Sequence, residues 1–256
     1  MAQKYYVVWE GRETGVFNDW ASCKRQVEKF AGARYKSFPN QAQAEAAFKE
    51  GAGSASGKKS TSVGNKTPRK NTIKTYNADE ISGLIFDTII YTDGGCEPNP
   101  GEAGSGMAIY KDGRVSELWY GLYNPQGTNN TAELNALYQA MMMAKDELSA
   151  SRTVAILCDS KYSIQCITQW AAGWEKRGWT RAGGEIKNLS LIQSMYALYQ
   201  SLRDDLEILH VNGHVGVEGN ELADRMSIMA IAENATDFIR YPDAINIDEI
   251  LALLAG

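Results

Sequence analysis

From residue 5 the chain alternates apolar and polar positions, with Tyr5, Val7 and Trp9 on one side, and turns at Glu10-Gly11-Arg12. That is the period of a half-buried strand. A second short strand, Gly15-Val16-Phe17, leads to Asp19-Trp20, and from Ala21 to Phe30 the apolar spacing becomes helical through Cys23, Val27 and Phe30. A third strand, Ala33 to Phe38, stops at Pro39, and Gln41 to Phe48 is an Ala-rich helix. The first 50 residues therefore predict a small ββαβα domain.

Periodicity then disappears. Residues 52–78 are rich in Gly, Ser, Ala, Lys and Thr, the composition of a flexible linker, and a coil of that length has an r.m.s. span of about 28 Å. Beyond it come predicted strands at 86–92, 104–111 and 114–122, the last two joined by Asp112-Gly113, a hairpin signal. A helix over 130–149 turns Leu134, Leu137, Met141 and Leu148 inward. A buried strand, Thr153 to Cys158, ends at Asp159; helices at 160–171 and 188–203, a strand at 206–212 and a helix at 220–234 follow. Three hairpin-connected strands followed by α-β-α-α-β-α predict an α/β domain, a five-stranded mixed sheet with helices on both faces. The expected organisation is a small domain at 1–50, a basic linker at 51–85, the α/β domain at 86–234 and a surface-docked tail at 235–256.

Charge sharpens this division. The net charge of -5 is the sum of +2 over residues 1–50, +6 over 51–78 and -13 over 79–256. If the partner is a polyanion, the basic front third supplies much of the attraction. The 44% hydrophobic content is that of a globular chain, with no run of membrane-spanning length. No leader pattern follows Met1, so a cytoplasmic protein with no membrane partner is expected. Cys23, Cys96, Cys158 and Cys166 lack metal-ligand spacing and read as reduced thiols.

Four acids sit where rigid elements meet polar loops: Asp93, Glu133, Asp159 and Asp224. Singly, each has an ordinary explanation. Asp93 and Asp159 could close strands, Glu133 could favour a helix N-terminus, and Asp224 could lie on a solvated face. Jointly they suit a metal-dependent nuclease, because two divalent ions about 4 Å apart, held by carboxylates, can activate water and stabilise a leaving alkoxide. Of the two histidines, His210 is mid-strand and reads as structural. His214 lies in a Gly-rich loop before the Asp224 helix and suits proton transfer or product handling better than ligation of a hard cation.

The residues around these acids carry a resemblance. Tyr91-Thr92-Asp93-Gly94-Gly95-Cys96-Glu97-Pro98-Asn99-Pro100-Gly101, Thr128-Asn129-Asn130-Thr131-Ala132-Glu133-Leu134, Cys158-Asp159-Ser160 and Gly213-His214 through Asn220-Glu221-Leu222-Ala223-Asp224 run in the order of type 1 ribonuclease H. Residues 4–39 resemble the hybrid-binding domain that precedes this nuclease in many organisms, through Tyr5-Tyr6-Val7-Val8-Trp9, Gly15-Val16-Phe17, Trp20, Cys23 and Arg34-Tyr35-Lys36.

The resemblance implies a ribonuclease H-like fold and a monomeric endonuclease that cuts the RNA strand of RNA–DNA hybrids, such as primers and R-loops, leaving 5′-phosphate and 3′-hydroxyl ends. It implies that Asp93, Glu133, Asp159 and Asp224 hold two Mg²⁺ ions, replaceable by Mn²⁺, with His214 assisting turnover. Asn99, Asn129 and Asn130 match positions that recognise the RNA strand, and a side-chain amide can both donate to and accept from a 2′-hydroxyl. Thr128 and Asn188 match a DNA-phosphate site, and Trp170 and Trp174 lie near a basic protrusion that grips DNA; Trp179 is expected to pack it onto the core. In the small domain Tyr6, Trp20, Tyr35 and Lys36 fall in the substrate-binding set. Gln126 stands where relatives can carry Arg, and Ser37 where a second Lys is common. A non-catalytic hybrid-binding protein and another nuclease of the same superfamily are the alternatives.

Overall fold

The structure is a computed structural model that describes residues 4–28, 30, 33–38, 40–50, 73–213 and 216–253. Two expectations lie outside the described residues: the role of His214, and the linker over 51–72.

The first unit contains β1 (Tyr5–Glu10), β2 (Gly15–Phe17), α1 (Trp20–Val27), β3 (Arg34–Phe38) and α2 (Gln41–Glu50). Its antiparallel sheet has the order β2-β1-β3. Asp19 caps α1 by accepting from the Ser22 amide at 2.8 Å, satisfying a donor the helix cannot. Alternation along β1 splits the apolar residues between two faces. Val8 packs with Cys23 and Val27 under α1, while Trp9 donates its indole N–H to the Ala47 carbonyl of α2.

The second unit opens earlier than its hydrophobic pattern suggests. Part of the expected linker carries β4 (Thr75–Tyr76) and α3 (Ala78–Ser82). Both are too short for a periodic signal. α3 is held by a capping box between Asn77 and Glu80, and β4 by parallel pairing with residues 135 positions later in the chain. There follow β5 (Thr88–Cys96), β6 (Gly101–Lys111), β7 (Arg114–Gly127), α4 (Asn129–Ser149), β8 (Val154–Cys158), α5 (Lys161–Gln165), one π-helical turn (Cys166–Trp170), α6 (Ala171–Lys176), α7 (Leu189–Leu202), β9 (Leu206–Val211), α8 (Glu218–Ala232), β10 (Ile239–Arg240) and α9 (Ile247–Leu251). The helix expected over 160–171 is thus three short segments reaching Lys176.

The five expected strands form the centre of a seven-stranded mixed sheet, β10-β7-β6-β5-β8-β9-β4. The two extra strands are two-residue edges, one from the linker region and one from the tail. Alternation on the central strands assigns the helices to faces. Ile90 and Ile156 point into a core with Leu134, Leu137 and Met141 of α4 and Ile192 and Met195 of α7. Tyr91 and Leu157 point into a second core with Leu222, Ala223 and Met226 of α8. Each fully buried Leu, Ile or Met contributes about 1.5–3 kcal/mol. The tail packs on the second face through buried Ile250.

Candidate active site

β5 does not end where its hydrophobic run ends. Asp93 to Cys96 continue the ladder with Ala103 to Gly106, so Asp93 sits within a strand. By alternation its side chain shares the α8 face with Tyr91, and there the Ser227 hydroxyl of α8 lies 3.5 Å from Asp93 Oδ2. The same Ser227 hydroxyl lies 2.8 Å from the Asp224 carbonyl, which fixes Asp224 beside Asp93.

The next residue, Gly94, faces α4. Its missing side chain lets the Glu133 backbone lie directly against the strand; any Cβ there would overlap the Glu133 amide. Thr128 starts α4 by accepting from the Thr131 amide, and this cap sets the register that puts Glu133 at the strand. Asp159 follows the last residue of β8, whose Cys158 pairs with Thr92, and so emerges next to Asp93. Carboxylate oxygens of Glu133 and Asp159 and the Cys158 sulfur all lie within 4.8 Å of one another.

Electrostatics show that the four acids share one neighbourhood. Burial first, then the charges of Asp159 and Asp224, push the Asp93 carboxyl well above the usual range. Burial, then Asp93 and Asp159, do the same to Glu133. The Cys158 thiol is raised by burial and by Glu133 and Asp159. Glu133 is 5% exposed, and its Oε2 has no hydrogen-bond partner among the described residues. A buried carboxylate oxygen without a donor is costly unless a cation meets it. An all-carboxylate set on rigid elements fits a hard divalent ion, with Asp93, Glu133, Asp159 and Asp224 as its oxygen donors. Arg225, buried beside the site, pairs with Asp224 and donates from Nε to the Leu253 carbonyl at 2.9 Å. Among the described residues this tail contact had no counterpart in the sequence reading.

Around the acids the expected contact residues fall into two groups. Asn99 accepts from the Asn129 amide at 3.3 Å, bringing the loop after β5 against the start of α4. Thr131 donates its hydroxyl to Asn188 Oδ1 at 3.1 Å, so the 2.8 Å contact between Thr128 and Thr131 has Thr128 as donor. Thr128 and Asn188 are therefore joined through Thr131, which sequence reasoning did not single out although it stands three residues after the cap. Asn188 holds this place at the start of α7 with a left-handed φ of 58°.

A groove of about 390 Å³ is lined by Asn130, Trp170, Trp174, Tyr162, Arg181, Ile186 and Lys187. The Trp170 and Trp174 rings are 5.8 Å apart, and Trp174 is 9% exposed, so it forms floor rather than rim. Arg181 and Lys187 give this groove two exposed cations that only the folded chain brings together. Trp179 packs edge-on against Tyr196, as expected of a residue tying the protrusion to the core. His210 is 4% exposed, with its basicity lowered by burial.

In the first unit Trp20 lies between Tyr6 and Tyr35, with ring centres 5.5 and 5.9 Å away. Trp20 and Tyr35 are 44% and 47% exposed. This is an unusual use of large rings unless they meet a partner. Strand alternation turns Lys36 to the other face, where its Nζ stands 5.7 Å from the Phe38 ring centre. The structure thus groups the three aromatics and leaves Lys36 apart from them. Cys23, Cys158 and Cys166 are buried free thiols and Cys96 is half-buried.

Residues 86–232 match the RNase H family, and residues 4–48 match the Ribonuclease H1 N-terminal domain. Ribonuclease H1 of Mus musculus is 33% identical over 254 residues, covering 87% of both chains. Ribonuclease HI of Pseudomonas aeruginosa is 39% identical over 146 residues, 57% of this chain and 93% of that protein. A crystal structure described as a type 1 RNase H with the type 2 active-site motif superposes with a TM-score of 0.51 at 23% identity, covering 65% of this chain and 81% of that one, and shares the fold. No helix among the described residues is long and apolar enough to cross a membrane.

Proposed function

The chain belongs to the ribonuclease H family and is a ribonuclease H enzyme, and from that premise we propose that it cuts the RNA strand of RNA–DNA hybrids endonucleolytically, leaving 5′-phosphate and 3′-hydroxyl ends. The observation that carries the reading is the convergence of Asp93, Glu133, Asp159 and Asp224, with a buried Glu133 oxygen that no group among the described residues satisfies.

Two Mg²⁺ or Mn²⁺ ions bound by these carboxylates would supply an activated water and charge stabilisation at the leaving oxygen. The chain's own contribution is position. β5, the end of β8, α4 and α8 hold the four carboxylates so that no reorganisation is needed when the scissile phosphate arrives. Asn99 and Asn129, in contact with each other at the start of the helix that carries Glu133, and Asn130 next to them in the chain are amides able to read 2′-hydroxyls. The Thr128–Thr131–Asn188 chain offers hydroxyl and amide groups to a DNA phosphate, and the Trp170 groove with Arg181 and Lys187 to the strand beyond.

The Tyr6–Trp20–Tyr35 row, with Trp20 and Tyr35 exposed and Tyr6 half-buried behind them, supplies a second contact to the hybrid. Tethering it to the nuclease raises the local concentration of substrate and supports processive cutting. This division suits a catalytic region carrying -13, which needs metal and the basic front third to approach a polyanion.

The test is cleavage of end-labelled hybrid, duplex DNA and duplex RNA of one sequence, with Mg²⁺ and with chelator. Metal-dependent cutting of the RNA in the hybrid alone, with new 5′ ends accepting label only after phosphatase treatment, is the expected result. Equal cutting of duplex DNA, or binding without cutting, would overturn it.

A further inference from the structure

We propose that His210 and Thr75 are positioning residues for Asp159, acting through its backbone carbonyl. The inference rests on the reading of Asp159 as a catalytic carboxylate and adds what holds it in place.

β8 pairs with β9 only as far as Cys158, which stands opposite His210. The Asp159 carbonyl is the first beyond that ladder, and its orientation sets the direction of the Asp159 side chain. Where the ladder ends, the His210 ring takes over: its Nε2 is 3.0 Å from the Asp159 oxygen. A carbonyl only accepts, so Nε2 carries the proton. The other ring nitrogen, Nδ1, lies 2.9 Å from Thr75 Oγ1. On the neutral ring Nδ1 is an acceptor, so the Thr75 hydroxyl donates to it and selects the Nε2–H tautomer. The order is Thr75 O–H to His210 Nδ1, then His210 Nε2–H to Asp159 O.

Three facts make this an arrangement for position. His210 is 4% exposed, and both its nitrogens are satisfied, as a polar ring in a core requires. Thr75 arrives on a strand of two residues, in register with His210, anchored by the capping box immediately after it and by Lys74 over the Tyr76 ring at 4.0 Å. The chain beyond β9 closes on the same aspartate from its side-chain end, for a Cβ on Gly213 would stand 2.6 Å from Asp159 Oδ2. One strand and its loop thus bracket Asp159, and Thr75 completes the bracket.

The full chain carrying Thr75→Val, His210→Gln or His210→Ala tests this. Thr75→Val keeps the shape and removes the donor. Gln can place an amide N–H near the Nε2 position, and Ala cannot. In the parent, ¹⁵N shifts of the His210 ring are expected to show Nε2 protonated and Nδ1 as acceptor. Outer-sphere partners of metal sites typically carry about 10–100-fold in metal affinity or activity. The Mg²⁺ midpoint, by titration calorimetry and by cleavage, is expected to rise about tenfold in His210→Ala and several-fold in Thr75→Val. His210→Gln should recover most of the loss, and KM for hybrid should stay at the parent value. A ring protonated at Nδ1, or a Thr75→Val chain with parent Mg²⁺ midpoint and kcat, would overturn the proposal. Asp159→Asn separates the two readings. If it cuts like the parent, the role of Asp159 falls; if it is inactive while Thr75→Val matches the parent, only the positioning inference falls.

Discussion

Gly94 of β5 lies against the Glu133 amide of α4 so closely that a methyl group at Gly94 would overlap it. A single hydrogen in place of a side chain therefore decides whether a carboxylate from one face of the sheet reaches the acids on the other. Gly94→Ala must push α4 outward, and overpacking of this kind costs about 1–3 kcal/mol. Urea denaturation should show that loss, together with a fall in cleavage larger than the unfolded fraction explains. Parent stability and parent activity would refute the contact.

The raised carboxyls predict a pH dependence of metal-free stability. In the unfolded chain Asp and Glu ionise near pH 4. In the fold, Asp93 and Glu133 hold their protons to higher pH because burial and neighbouring acids penalise the charged forms. The native state then binds more protons, so the stability these groups lend is full below about pH 4 and is lost as pH rises through their folded values. A divalent cation opposes that loss. The Tm gain on adding Mg²⁺ should be larger near pH 8 than near pH 5; a pH-independent gain would contradict the electrostatic account.

Thr131 joins Thr128 to Asn188. Thr131→Val removes the linking hydroxyl at nearly constant volume and leaves both partners without it. A net loss of about 1 kcal/mol corresponds to roughly a fivefold rise in KM for hybrid. Steady-state kinetics should show that rise with kcat little changed. A fall in kcat alone would place Thr131 in the chemistry instead.

Trp20 is held between Tyr6 and Tyr35 and stays exposed. Aromatic stacking on nucleic acid is worth about 1–3 kcal/mol per contact. Trp20→Ala is expected to weaken hybrid binding about fivefold or more, measured by fluorescence anisotropy, and to shorten runs of successive cuts while leaving single-turnover cleavage intact. Unchanged affinity would remove the aromatic row from the interface.

The central architecture was legible because its signals are periodic. Ile90 and Ile156 against Tyr91 and Leu157 alternate cleanly, and the inward stripe of α4 through Leu134, Leu137 and Met141 matches the buried residues. The edges were not, since β4 and β10 are two residues long and exist through pairing with distant strands. Asp93 was placed at a strand end because hydrophobicity stops at Tyr91, yet backbone pairing continues to Cys96 without apolar side chains. The acids were legible as a set through their flanking loops. The contacts around them were not, because Ser227 with Asp93, Thr131 with Asn188 and His210 with Asp159 join residues far apart in the chain. The pairing of Arg181 and Lys187 in one groove with Trp170 has the same cause.

The most direct measurement is Mg²⁺-dependent cleavage and binding of one labelled RNA–DNA hybrid by the parent and by Asp159→Asn, which keeps the shape of the side chain and removes its charge. The account predicts that the substitution abolishes cutting of the RNA strand, while hybrid affinity stays close to the parent value. Cleavage by Asp159→Asn near the parent rate would contradict it.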